Sequence, residues 1–242
     1  MKNEQSLKDI KDWDMIASDY IQSADPTNNR IYNMVKDALW DCLGDLQDMD
    51  VLDLGCGHGW LSKEFFDAGA KVYAIDGSSA LIEIGRSLYP EIDFIQYDLF
   101  DGLPFEYEEF DRVVAFMVLA DIPDIDLLVA SVRKSLKESG KFIFAIPHPC
   151  FFNYPSNIDA ESGRRFRMVY GYLDPEVWRI SSYGGFNHYH RSLTYYFDIL
   201  RRNKLAVSRI YEPPQIASPS HPDPLWISKI PIFMLIEAIP II

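Results

Sequence analysis

The feature that most constrains this chain is an apolar run that breaks into alternating glycines, in the segment Val51–Trp60. The run from Met49 to Leu54 includes Asp53 next to its apolar residues and is typical of a buried parallel strand. The glycines predict a tight turn from strand into helix, because glycine tolerates unusual backbone angles and lets another group approach the main chain. The next helix would direct its first N–H groups toward whatever lies above the turn, so the segment predicts a ligand-binding loop.

Strand and helix patterns alternate through the middle of the chain and predict a parallel sheet with helices on both faces. Two amphipathic helices, the first with a break near Asp14, are expected before the first strand. The segment 151–191 is aromatic and irregular, and a helix and two strands close the chain. The predicted helices are 5–21, 28–43, 59–68, 78–88, 123–137 and 192–203, and the predicted strands are 49–54, 71–75, 92–96, 110–116, 141–146, 205–211 and 227–238.

The overall charge disfavours some classes of partner. The chain carries 36 acidic residues against 23 Lys and Arg, which gives a net charge of −13. Nucleic-acid binding depends on neutralising phosphates with a basic face, and an anionic membrane surface attracts basic segments, so neither partner is expected. Three widely spaced cysteines form no disulfide or metal-binding pattern, and the polar N-terminus is no signal peptide. A cytoplasmic protein without a metal is therefore expected.

Two acids distinguish the glycine turn from one that only packs a helix against a strand. Asp53 lies two residues before the first glycine, and Asp76 closes the next predicted strand. This combination resembles the first motif of class I S-adenosylmethionine (SAM)-dependent methyltransferases, acid-x-Gly-x-Gly-x-Gly. The segment His190–Phe197 is similar to a His-Arg-Ser/Thr/Pro-Leu-x-x-Tyr-Phe stretch of the methyltransferase type 11 group. The resemblance covers most of the chain.

The resemblance implies an α/β fold with a Rossmann-like, seven-stranded sheet. The sheet would be mostly parallel, with the last strand antiparallel and helices on both faces. We expect a single domain of residues 1–242, in which an N-terminal helical cap over 1–46 precedes a SAM-binding core over 47–150 and 192–242. The insertion 151–191, after the fifth strand, would be a lid, because this position commonly contributes to the substrate pocket in the family.

The resemblance also implies cofactor contacts at successive strand ends. Asp53 would orient the loop and help hold the cofactor's ammonium, Asp76 would accept hydrogen bonds from the ribose hydroxyls, and Asp98 would lie against the adenine amino group. Tyr20 comes from the segment 13–20, which looks like the Trp/Tyr-Asp-x-x-Ala-x-x-Tyr entry segment of small-molecule methyltransferases. The expected cofactor-binding residues are Tyr20, Asp53, Gly55, Cys56, Gly57, Asp76, Gly77, Ser78, Asp98, Leu99, Phe116 and Met117.

Plainer interpretations stay open for several of these residues. Asp76 also fits a helix N-cap, Asp98 a solvated turn, and Tyr20 a packed tyrosine of an amphipathic helix. Phe116 and Met117 also fit a simple core position.

Two histidines are candidates for catalysis, because histidine transfers protons near neutral pH. His148 follows the fifth predicted strand between two prolines, and His190 ends the aromatic segment. A structural histidine is the alternative for both. Methyl transfer needs a general base only when the acceptor must lose a proton early, so no catalytic residue has to stand out. Beside His190, Ser192 is expected to cap a helix and Arg191 to pair with an acid.

The sequence therefore predicts a SAM-dependent methyltransferase that acts on a small or medium organic molecule through an O, N or C acceptor. An NAD(P)-dependent Rossmann oxidoreductase is one alternative, because the glycine turn and Asp76 also fit a dinucleotide. A SAM-binding regulatory protein without catalysis is another. No Asn/Asp-Pro-Pro-aromatic motif follows the fourth strand, which argues against DNA adenine and protein glutamine as acceptors. The oligomeric state stays open, a homodimer included.

Overall fold

A computed structural model describes residues 2–23, 29–105, 107–215 and 229–241. The helices are α1 Lys2–Ser23, α2 Arg30–Leu43, α3 Trp60–Asp67, α4 Ser79–Leu88, α5 Asp126–Ser135 and α6 Leu193–Arg202. The strands are β1 Asp50–Leu54, β2 Lys71–Asp76, β3 Asp93–Gln96, β4 Phe110–Phe116, β5 Leu136–Pro147, β6 Ser156–Ile158, β7 Arg165–Arg167, β8 Val177–Ile180, β9 Phe186–Tyr189, β10 Leu205–Tyr211 and β11 Phe233–Pro240. No helix in these ranges combines the length and apolarity that crossing a bilayer requires.

Seven of the strands form one twisted sheet in the order β10-β11-β5-β4-β1-β2-β3. Strand β11 is antiparallel to both of its neighbours, and the other pairs are parallel. The predicted fold class, a mostly parallel seven-stranded sheet with an antiparallel last strand, is therefore confirmed. The strand order reverses between β1 and β4, and ligands of open α/β sheets bind in the crevice at such a reversal.

The core lies on both faces of this sheet. Alternation along β1 sends Leu52 and Leu54 into the cluster beneath α5 and α6, and it sends Val51 into the cluster beneath α2 and α3. Both clusters consist of buried and mostly aliphatic or aromatic side chains, which explains why the central strands are mainly apolar in sequence. This packing holds the carboxyl ends of β1, β2 and β4 at fixed positions.

Tertiary contacts move some predicted boundaries. The helix expected through 137 ends at Ser135, and the next strand begins at Leu136 because this residue pairs with Phe110. The first helix is unbroken at Asp14, whose carboxylate accepts from Ser78 Oγ at 2.6 Å and from Ala80 N at 3.1 Å. The last strand begins at 233 instead of 227, and residues 227 and 228 of that prediction lie outside the described residues.

The insertion 151–191 is more regular than its sequence suggests. It forms two antiparallel hairpins, β6–β7 and β8–β9. The second hairpin is tied to α1 by side chains: Asp9 Oδ1 accepts from Asn187 Nδ2 at 2.8 Å, and Asp12 pairs with Arg179. The rings of Trp13 and Phe186 also pack with their centres 4.7 Å apart. The first helix and the second hairpin thus form one continuous roof over the sheet edge.

Candidate functional site

A cavity of about 500 Å³ lies at the carboxyl ends of the central strands, beneath the roof of α1 and the β8–β9 hairpin. Ten of the twelve predicted cofactor residues line its wall: Tyr20, Gly55, Gly57, Asp76, Gly77, Ser78, Asp98, Leu99, Phe116 and Met117. The reversal of strand order brings them together, because β1, β2 and β4 end at the same edge of the sheet.

The glycine turn needs its glycines for two different reasons. All of its glycines have positive φ, which disfavours other residues. A Cβ on Gly55 would lie 2.3 Å from Cγ2 of Val118, so the turn packs directly against the loop after β4. A Cβ on Gly57 would instead meet the ring of Tyr20 at 3.5 Å, on the cavity wall. The main chain at Gly57 is therefore open to a ligand.

Asp76 joins the glycine turn to the start of α4. Its Oδ2 accepts from Gly57 N and its Oδ1 from Ser78 N, both at 2.8 Å. The cap of α4 is Ser78, whose Oγ accepts from Leu81 N, so the alternative of Asp76 as the N-cap does not hold. Burial raises the pKa of the Asp76 carboxyl, opposed by the two amide bonds. Each carboxylate oxygen keeps a second lone pair for a ligand hydroxyl.

Asp98 lines the cavity and carries an oxygen without a hydrogen-bond partner among the described residues. Its Oδ1 accepts from Ser6 Oγ at 2.8 Å and from Phe100 N at 3.0 Å. Its Oδ2 is buried and has no hydrogen-bond partner within the described ranges. A buried acceptor without a partner is unfavourable by about 1–3 kcal/mol, so this oxygen is suited to a donor from a ligand. A solvated turn aspartate would not be buried in this way.

The other two predicted cofactor residues lie behind the wall of the cavity. Asp53 is 1% exposed, and its Oδ2 accepts from Ser62 Oγ at 2.6 Å, which braces the turn against α3. Burial raises the pKa of this carboxyl to about 7. The hydrogen bond from Ser62 lowers the pKa, and the negative charge of Asp76 raises it further. Cys56 turns its side chain into the core. A direct cofactor contact by either side chain stays a prediction.

The two predicted catalytic histidines do not line the cavity. His148 is 2% exposed, and both of its ring nitrogens are engaged: Nδ1 accepts from Cys150 N at 3.1 Å, and Nε2 lies 2.7 Å from Glu212 Oε1. His190 Nε2 donates to the carbonyl of Tyr172 at 2.9 Å. These contacts fit structural histidines, and a direct catalytic role for either residue stays an untested prediction.

Another histidine and another acid reach the cavity. His188, on β9, and Asp121, in the loop after β4, both line it, with 3.7 Å between Nδ1 and Oδ1. Neither residue is among the catalytic residues that the sequence predicts. His188 and His190 lie two residues apart, and strand alternation places both positions on the same face. Only the packing of the insertion against the sheet decides which of the two histidines meets the cavity. Asp121 follows the fourth strand without any motif to mark it.

Arg191 has a different partner from the one expected. The sequence predicts an acidic partner, whereas the guanidinium donates to two backbone carbonyl oxygens, that of Leu119 at 2.9 Å and that of Ile122 at 2.5 Å. Buried Arg191 therefore fixes the loop that carries Asp121. The expected cap is confirmed, since Ser192 Oγ accepts from Tyr195 N at 3.3 Å.

The chain is similar in sequence to known methyltransferases. A methyltransferase domain model matches residues 52–144. The chain is 33% identical over 112 residues to a demethylmenaquinone methyltransferase of Renibacterium salmoninarum. These residues make up 46% of this chain and 47% of that protein. It is 29% identical to a ubiquinone biosynthesis O-methyltransferase of Alkalilimnicola ehrlichii, over 45% of this chain and 46% of that protein. The chain thus matches about half the length of these curated relatives.

Solved structures match more of the chain. A SAM-dependent methyltransferase from Mesorhizobium loti is 25% identical with a TM-score of 0.73, and the match covers 85% of this chain and 97% of that one. A putative SAM-dependent methyltransferase from Listeria monocytogenes is 27% identical with a TM-score of 0.73, over 87% of this chain and 98% of that one. The resemblance to class I SAM-dependent methyltransferases is confirmed.

Proposed function

We propose that this chain is a SAM-dependent methyltransferase that acts on a small or medium organic molecule with an apolar, partly aromatic body. The observation that carries the proposal is the buried, unpaired Oδ2 of Asp98, on the same cavity wall as Asp76 and the bare main chain of Gly57. These three features suit an adenine amino group, a ribose diol and an amino-acid tail, respectively, which together describe an adenosyl amino acid.

The residues of this wall fit SAM by charge as well as by shape. Asp76 and Asp98 on the nucleoside side, and Asp9 and Asp121 beyond them, give the cavity an acidic lining. A sulfonium with an amino-acid tail carries a net positive charge, so this lining favours it over an anionic dinucleotide. When bound, SAM supplies an electrophilic methyl group whose carbon–sulfur bond breaks during transfer.

The other half of the cavity suits an apolar acceptor. Aromatic and aliphatic side chains from the insertion and β11 line it, namely Phe152, Ile180, Tyr183, Phe186 and Phe233. Tyr20 packs edge-to-face against Trp13 and Tyr183 in the roof, with ring centres 5.5 and 5.6 Å away. These residues exclude water and hold the acceptor close to the cofactor, which is the main contribution a protein makes to methyl transfer.

Calorimetry with SAM, S-adenosylhomocysteine and NAD(P), followed by a methyl-transfer assay, tests the proposal. The acceptor panel contains catechols and naphthoquinols, chosen from the names of the curated relatives, together with amines and polar acids. We expect SAM binding and methylation of a phenolic ring compound. Binding of NAD(P) instead of SAM would indicate an oxidoreductase, and SAM binding without S-adenosylhomocysteine formation on any acceptor would indicate a regulatory protein.

The remaining predictions concern partners and location. A net charge of −13 and an acidic cavity disfavour nucleic acids and polyanionic acceptors. A cytoplasmic location and a homodimer stay predictions. Light scattering coupled to size-exclusion chromatography measures the oligomeric state.

Asp98→Asn is expected to weaken SAM affinity about tenfold to a hundredfold. The variant keeps one acceptor oxygen for Ser6 and Phe100, but it replaces the unpaired Oδ2 by an amide that opposes the adenine amino group, which is unfavourable by about 1–3 kcal/mol. Calorimetry with SAM measures the change. Asp101→Asn, an exposed acid three residues further on, is the matched control and should bind SAM like the natural chain.

A further inference from the structure

We propose that His188 is a catalytic base that removes the proton of a phenolic hydroxyl acceptor, and that Asp121 positions its imidazole. This inference rests on the proposed methyltransferase function and deepens it by assigning the acceptor atom. His188 and Asp121 are the histidine and the acid that meet on the acceptor side of the cavity, next to its aromatic lining.

The ring of His188 is held in one plane by stacking. The indole of Trp178 lies parallel to it, with an interplanar angle of 6° and ring centres 5.8 Å apart. The ring of Phe152 packs with its centre 5.4 Å from that of His188, and the side chain of His188 is 7% exposed. A base on a strand, with its ring fixed by packing, keeps its nitrogens at fixed positions relative to a bound acceptor.

The loop of Asp121 is tied to the strand of His188. Tyr189, the next residue of β9, donates its N–H to the carbonyl of Ala120 at 2.7 Å. Arg191 holds the carbonyl oxygens on either side of this point, at Leu119 and Ile122. The two side chains therefore cannot drift apart without breaking three hydrogen bonds. This arrangement sets the 3.7 Å between His188 Nδ1 and Asp121 Oδ1.

That distance is longer than a hydrogen bond, and it suits a pair that tightens on protonation. Once the imidazole gains a proton, the Asp121 carboxylate attracts it in a site with little water. Burial raises the pKa of Asp121, and the neighbouring His188 opposes this effect.

The other ionisable groups facing the pair come from three elements: Asp9 on α1, Asp76 on β2 and Arg191 after β9. The phenol of Tyr20 on α1 also faces Asp121.

The proton transfer balances with the methyl transfer. The O–H bond of the acceptor breaks, its proton passes to His188, and an oxygen electron pair forms the new bond to the methyl carbon. The bond from that carbon to the cofactor sulfur breaks, and its electron pair stays on sulfur. The imidazolium then returns its proton to solvent when the methyl ether leaves.

His188→Gln tests the proposal in two ways. With a catechol acceptor, kcat should fall at least about a hundredfold with little change in KM, and the acidic limb of the pH–rate profile should disappear, because a positioned base contributes about 10²–10⁴ in rate. Without SAM, 4-nitrophenol bound to the natural chain should ionise at a lower pH than free 4-nitrophenol, seen by its phenolate absorbance. This shift should be absent in His188→Gln.

Asp121→Asn provides a second variant if His188→Gln fails to fold. It should lower kcat about tenfold and reduce the 4-nitrophenol shift, and Asp126→Asn, an exposed acid at the start of α5, should do neither. If the natural chain methylates catechol and His188→Gln keeps both its kcat and the acidic limb of its pH–rate profile, the inference about His188 is wrong and the proposed function stands. A natural chain that neither binds SAM nor methylates any acceptor would overturn the proposed function instead.

Discussion

Gly57→Val is expected to reduce SAM affinity at least about a hundredfold while the chain still folds. Gly57 has φ +58° at the turn after β1, and a Cβ there would point toward the ring of Tyr20 at 3.5 Å. The branches of valine would fill the floor of the cavity where the amino-acid tail of SAM is expected, and the left-handed backbone adds about 1–2 kcal/mol of strain. Calorimetry with SAM measures the affinity, and thermal unfolding measures the strain.

A matched control separates strain from occlusion. Gly163 has a similar φ of +66°, and a Cβ there would meet nothing within 4 Å. Gly163→Val should therefore lower the unfolding temperature by an amount comparable to Gly57→Val and leave SAM affinity unchanged. If Gly57→Val binds SAM within about threefold of the natural chain, the glycine turn is not the cofactor site.

The part of the fold that the sequence predicts best depends on local and periodic signals. The run before Gly55 is apolar enough to be buried on both faces, and the repeated strand–helix units restrict the sheet to a few right-handed, unknotted topologies. The antiparallel last strand was implied by the family resemblance. The boundary between α5 and β5 was wrong because Gly140 marks a stop in the sequence, whereas the pairing of Leu136 with Phe110 ends the helix earlier. That pairing is a long-range contact with no local signature.

The same difference between local sequence signals and long-range packing applies to the residues of the site. Asp76 and Asp98 could be predicted because parallel strands end at a common edge, so an acid after each strand must lie near the others. His188 and Asp121 could not, because their contact depends on how the insertion folds back over the loop after β4. The placement of Asp53 behind the wall likewise depends on its bond to Ser62 of α3, which the spacing of residues does not reveal.

Asp53→Asn is expected to stabilise the chain without SAM in a pH-dependent way. The buried carboxyl has a pKa of about 7, against about 3.8 in the unfolded chain. Near pH 4 the folded carboxyl is protonated and the unfolded one is about half ionised, so the variant should differ from the natural chain by less than about 1 kcal/mol. As the pH rises to 7, Asp53 ionises more readily in the unfolded chain than in the folded one, so the natural chain loses stability relative to the variant. Each pKa unit corresponds to about 1.4 kcal/mol, so the difference at pH 8 is on the order of 4 kcal/mol.

Urea unfolding at pH 4 and pH 8 measures this difference. Asp101→Asn, at an exposed position, should show none at either pH, and an Asp53→Asn variant equal to the natural chain at pH 8 would contradict the argument. Calorimetry on the same samples adds a functional reading. If the Asp53 charge helps to hold the ammonium of SAM through the turn, the variant should gain stability and lose SAM affinity together. A destabilising buried charge would then have a functional reason, since stability and function often conflict at binding sites.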